Sequence, residues 1–80
     1  MWEVTTMEGW RTALVVQGVT LGGRSIPVVA GLLDPPYGPQ VGIRVGETGE
    51  SVVLSDQIGS ELIVNLREAI ASKLKAEGQL

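Results

Sequence analysis

The chain has 80 residues, nine acidic and six basic, with a formal net charge of −3 and a hydrophobic share of 44%. That is one domain, 1–80, with the composition of a folded protein and no electrostatic pull toward nucleic acid or anionic lipid. Cysteine and histidine are both absent, which excludes disulfides, thiolate metal sites, a thiol nucleophile and the usual general base.

The first nine residues are ambiguous. Trp2, Val4 and Thr6 would share one strand face, and Met7-Glu8-Gly9 has the make-up of a turn or a bulge. Two strand-like runs follow, 10–21 and 24–33, with Gly22-Gly23 between them. A two-residue hairpin turn needs positive φ, which glycine adopts without steric cost. This 10–33 hairpin would set Leu21 against Arg24, Val19 against Ile26, Gly18 against Pro27, Val16 against Val29 and Leu14 against Gly31. Pro27 has no N–H to give a ladder, and a bulge at Gly18 would accommodate it.

Asp34-Pro35-Pro36-Tyr37-Gly38-Pro39 then breaks helix and ladder alike. A second hairpin over 41–54 is expected to turn at Thr48-Gly49. Its register would put Ile43 against Leu54 and Val45 against Val52 on one face, with Arg44 and Val53 on the other.

At Ser55 the apolar period changes from two to four: Ile58, Leu62, Leu66, Ile70 and Leu74 follow. This predicts an amphipathic helix over 56–77, roughly 30 Å long. Ser55 suits the N-cap, Asp56 the first turn, Lys73 and Lys75 the last, and Gly78 the end. Gly59 costs about 1 kcal/mol relative to Ala unless it marks a close approach to the sheet. The expected fold is therefore α+β: an antiparallel sheet of about four strands in two hairpins, with one C-terminal helix packed on a face.

The first hairpin is apolar on both faces, as strands buried on both sides are. Leu14 and Val16 alternate with Ala13 and Val15, and Ile26, Val28, Ala30 and Leu32 with Val29 and Leu33. One helix covers one face. The other would be covered by the N-terminal segment, by curling of the sheet, or by a second copy of the chain. Because the first two ask little chain to cover many residues, a two-fold homodimer is the expectation. Trp2, Trp10, Leu14, Val16, Val29 and the helix surface are the candidate partner contacts; each Trp is either a core cap or an interface anchor.

Several motifs resolve into ordinary structure. Residues 18–25 resemble a phosphate loop, but Arg24 stands where Lys belongs and a strand follows instead of a helix. Pro35-Pro36-Tyr37 lacks the spacer of a proline-motif ligand and reads as a rigid connector. The dispersed bases read as solvated surface. Asp34, Glu47, Glu50 and Asp56 are the loop and cap carboxylates, and catalysis would need two of them to converge in a pocket.

Ser51-Val52-Val53-Leu54-Ser55, followed by Leu62, Leu66, Ala69 and Ile70, resembles the strand-then-helix endings of short actinobacterial and actinobacteriophage proteins. That resemblance covers the last third of the chain and carries over no functional residue. It implies an accessory role, in phage examples that of binding a host protein.

The expected function is non-catalytic protein interaction, with the chain itself, and a host or other cellular protein, as partners. Neither nucleic acid nor membrane is expected as a partner, and no cofactor, catalytic or metal-binding residue is expected. A small-ligand binder or an enzyme using the loop carboxylates is the alternative. With no basic, apolar leader and no long apolar run, a cytoplasmic location is expected.

Overall fold

A computed structural model of the chain describes residues 2–5, 7–34 and 39–78, the side chains of 2–5 excepted. Five antiparallel strands form one sheet in sequence order: β1 (Trp2–Thr5), β2 (Trp10–Val19), β3 (Ser25–Leu33), β4 (Gln40–Val45) and β5 (Val52–Leu54). One helix follows, α1 (Asp56–Ala76). This is the α+β arrangement expected, with β1 added from the ambiguous N-terminal segment. The Pro35–Gly38 connector and Thr6 lie outside the described residues.

The first hairpin differs from expectation by one residue. Val16 faces Val28, Leu14 faces Ala30 and Gly18 faces Ile26. The loop is longer than Gly22-Gly23: Thr20 N–H donates to Arg24 O at 2.8 Å and Gly23 N–H to Thr20 O at 2.8 Å. Three residues, Leu21 to Gly23, therefore connect the strands, and only Gly23 has positive φ, +88°. A three-residue loop ending in a left-handed residue is a common alternative to the two-residue turn. A one-residue slip exchanges faces. Val29 consequently leaves the Leu14 and Val16 face and pairs with Val15.

The bulge also falls elsewhere, between Trp10 and Thr12. It turns Trp10 onto the face of Ala13 and Val15, although simple alternation would place it opposite. Pro27 needs no bulge because it lies one residue beyond the last β3–β4 pair, Val28 with Val45. Gly46 N–H donates to Pro27 O at 2.8 Å. A residue other than proline would return a bond to Gly46 O; here Arg44 Nε donates to that oxygen instead, at 3.0 Å.

The second hairpin is shifted by two residues, with Val41 against Leu54 and Ile43 against Val52. Its loop is wider than a Thr48-Gly49 turn. An even shift preserves faces, so Val41, Ile43, Val52 and Leu54 share a side as expected.

The helix starts where capping chemistry predicts: Ser55 Oγ accepts from Ile58 N–H at 3.1 Å. It ends as Glu77 N–H donates to Lys73 O and Gly78 N–H to Lys75 O, both at 3.0 Å. Four-residue steps precess by about 40°, so Ile58 to Leu74 sweep roughly 160° of the helix surface. That is broader than the single stripe a sheet contact requires.

The core lies on the face turned away from α1. Trp10, Ala13, Val15, Val29 and Leu33 are buried there, with Met7 packed against them. The turn before β2 closes this face: Trp10 N–H donates to Met7 O, Asp34 N–H to Gly9 O at 2.9 Å, and Arg11 pairs with Asp34 at 3.1 Å. So Trp10 and Met7 pack on this face, while Trp2–Thr5 joins the sheet as its edge strand instead of folding over it. The helix supplies much less than expected. None of its residues is buried, and β5 is the strand it approaches most.

Gly59 faces β4, and a Cβ there would stand 4.0 Å from Val41 Cγ1. That is ordinary contact, so the glycine is not sterically required. Gly59→Ala is expected to stabilise the fold by about 1 kcal/mol through helix propensity. A urea denaturation midpoint that falls instead would show that the helix packs closer than this.

Candidate interaction surface

Alternation along the paired strands assembles one continuous apolar face on the α1 side. It comprises Leu14 and Val16 of β2, Val28, Ala30 and Leu32 of β3, Val41, Ile43 and Val45 of β4, and Val52 and Leu54 of β5. None of these residues is buried. The face therefore forms by the same register that builds the core, but nothing in the described residues closes over it.

Between this face and α1 is an open groove of about 520 Å³. Val28, Ala30, Val41, Ile43 and Leu54 make its floor, and Gly59, Leu62, Ile63 and Leu66 its wall. Asp56 and Ser60 stand at its margin. The volume is that of a small-molecule pocket, but such pockets carry convergent polar groups that orient a ligand. This groove is lined almost wholly by aliphatic carbon, the chemistry of an interface core. The helix continues the apolar surface outward, with Ile63 52%, Leu66 56% and Ile70 58% exposed.

The candidate contacts separate into two groups. Leu14 and Val16 lie on the open face. Trp10 is 7% exposed and Val29 1%, so both belong to the core and offer no surface. For Trp10 this decides between the two roles weighed from sequence. Trp2 pairs with Val16 across β1 and β2; its side chain lies outside the described atoms. The helix surface, a candidate contact from sequence beside the two Trp residues, exposes Ile63, Leu66 and Ile70.

The loop carboxylates do not assemble. Asp34 pairs with Arg11. Glu50 borders a cavity beside Trp10, Glu47 one between two hairpin loops, and Asp56 the apolar groove. Among the described residues, no three carboxylates come together as a metal site.

Comparison with protein families, curated proteins and solved structures finds no match. The geometry alone therefore carries the functional argument. No helix among the described residues is long and apolar enough to cross a membrane, so the exposed apolar surface is not that of a spanning helix.

Proposed function

We propose that this chain is a non-catalytic protein-interaction module that acts by burying its open apolar face, and that it assembles as a homodimer. The observation that carries this reading is an excess of surface. The chain exposes 6239 Å², whereas a compact protein of 8.4 kDa exposes about 4,600 Å². Its radius of gyration is 14.4 Å, against about 12 Å for a compact chain of this length. The excess, about 1,600 Å², exceeds the ~800 Å² that one partner contributes to a standard stable interface. Leu14, Val16, Val45 and Val52 of the open face are each more than a third exposed, and a continuous apolar patch of this kind is a mark of an interaction site.

Sedimentation equilibrium across the micromolar range tests the reading. The expected mass is twice 8.4 kDa; a monomer at every concentration overturns self-association. Val16→Glu places a charge on the open face, where the monomer can still hydrate it but an apolar interface cannot. It is expected to weaken the dimer at least about tenfold, or ~1.4 kcal/mol. Unchanged dimerisation by that variant would move the interface to another surface.

A further inference from the structure

We propose that the second copy docks sheet to sheet, with the β1–β3 halves of the two open faces packed together across a two-fold axis that runs along β2, over Leu14 and Val16. Each α1 stays outside the contact, beside the β1 edge of the other sheet. This rests on the self-association proposed above and names the part of the face that is shared.

Helix α1 covers only the other half of the face. Gly59 faces Val41 of β4 and α1 approaches β5 most, and no β2 residue lines the groove beneath it. Leu14 and Val16 are left 37% and 40% exposed. Val28 and Ala30 of β3 lie beside them, and the β2 and β3 residues of this face include no charged side chain. Depletion of charge is the compositional mark of an interface centre. The surface in excess of a compact chain is about twice the ~800 Å² that one partner contributes to a standard interface, so a second copy is the occupant.

The outer side of α1 keeps the helix out of the contact. At about 100° per residue, Gln57, Glu61, Glu68 and Lys75 lie opposite the groove-lining Gly59 and Leu66, and all four are exposed. A partner's sheet laid over the helix would strip water from these groups and set them against aliphatic carbon. Packed sheets stand about 10 Å apart and a helix is about 10–12 Å across, so the partner's strands and α1 fit side by side in one layer.

The helix also sets the direction of the axis. A two-fold axis across the strands would lay β4 and β5 of one copy onto α1 of the other. An axis along β2 carries them to the opposite side instead. Strands β1 and β3 flank β2, each by one spacing of about 4.8 Å, so the partner's β1 comes over β3 at the mouth of the groove. Residues of β2 then meet their own copies, and the two β2–β3 hairpin tips point the same way.

The absence of cysteine makes a single engineered thiol unique in the full chain. Leu21→Cys lies at the hairpin tip, where the side chain is fully exposed and outside the contact. With the axis along β2 the two thiols come within about 15 Å, given sheets ~10 Å apart and inclined by ~30°. Tips at opposite ends would be ~40 Å apart at ~3.3 Å per residue. Ser51→Cys, beside the outer strand β5, lies about 30 Å from its mate by the strand spacing. A short bis-maleimide is therefore expected to couple Leu21→Cys into a covalent dimer and to leave Ser51→Cys uncoupled on a denaturing gel. Circular dichroism and sedimentation confirm that each variant is folded and dimeric. A sedimenting dimer in which Leu21→Cys does not couple, or in which Ser51→Cys couples equally, overturns the sheet-to-sheet contact while leaving the homodimer standing. A monomer overturns both.

Discussion

Gly31→Ala is expected to cost about 3 kcal/mol or more, which in a domain this small leaves little folded protein. A Cβ at Gly31 would lie 1.9 Å from Thr12 O, 2.8 Å from Thr12 C and 3.2 Å from Ala13 Cα. All of these are backbone atoms, so no side chain can rotate away. The crowding comes from the bulge between Trp10 and Thr12, which brings the β2 backbone against β3 at this position. Relief requires opening the bulge, and opening it would return Trp10 to the wrong face. Urea denaturation followed by circular dichroism measures the loss. Gly22→Ala is the control, since a Cβ there meets nothing closer than Thr20 Oγ1 at 3.8 Å. A Gly31→Ala chain as stable as that control would mean the bulge is not present in solution.

Trp10→Ala is expected to cost about 3–5 kcal/mol, the range for truncating a buried aromatic. Trp10 is the largest of the five residues of the buried hydrophobic cluster, and its ring reaches far across the sheet. A Cβ on Gly42, on β4, would stand 3.2 Å from Trp10 Cη2 and 2.7 Å from Leu33 Cδ1. The indole and Leu33 thus occupy the space that a side chain at residue 42 would fill. With so few buried neighbours, the site collapses poorly around a void. The same urea experiment measures the effect. A loss below about 1 kcal/mol would make Trp10 a surface anchor instead of a core residue. Because Trp10 lies on the face away from α1, Trp10→Phe is expected to lower stability while leaving the dimer's affinity unchanged.

These two residues also mark where sequence reasoning runs out. A glycine in the middle of β3 carries no signal that distinguishes a neutral position from a contact of 1.9 Å. Trp10, read by simple alternation from Ala13, falls on the wrong face, because a bulge has no dependable residue signature when Arg11 occupies it. The expected bulge at Gly18 followed glycine preference and proline chemistry. The chain meets Pro27 differently, by ending β4 beside it and giving the orphaned Gly46 carbonyl to Arg44. The loop carboxylates border separate cavities, and Asp34 is paired with Arg11.

What the sequence determined by itself is what depends on neighbours a few residues away. The helix runs Asp56–Ala76 because Ser55 caps it, its charges suit the dipole and its apolar residues recur near the helical period. The strand segments, the breaker after Leu33 and the α+β class follow from equally local chemistry. Only the tertiary structure decided the register of the first hairpin, which one loop residue changes, and with it the face on which Val29 lies. It also decided which face is closed. The sequence predicts a helix that satisfies one side of the sheet and leaves the other open. In the folded chain Trp10, Met7 and the turn between them close the far side, and the helix stands off the near one. Covering a face depends on where two distant segments meet in space, and hydrophobic periodicity records only that a residue avoids water, not which surface shields it.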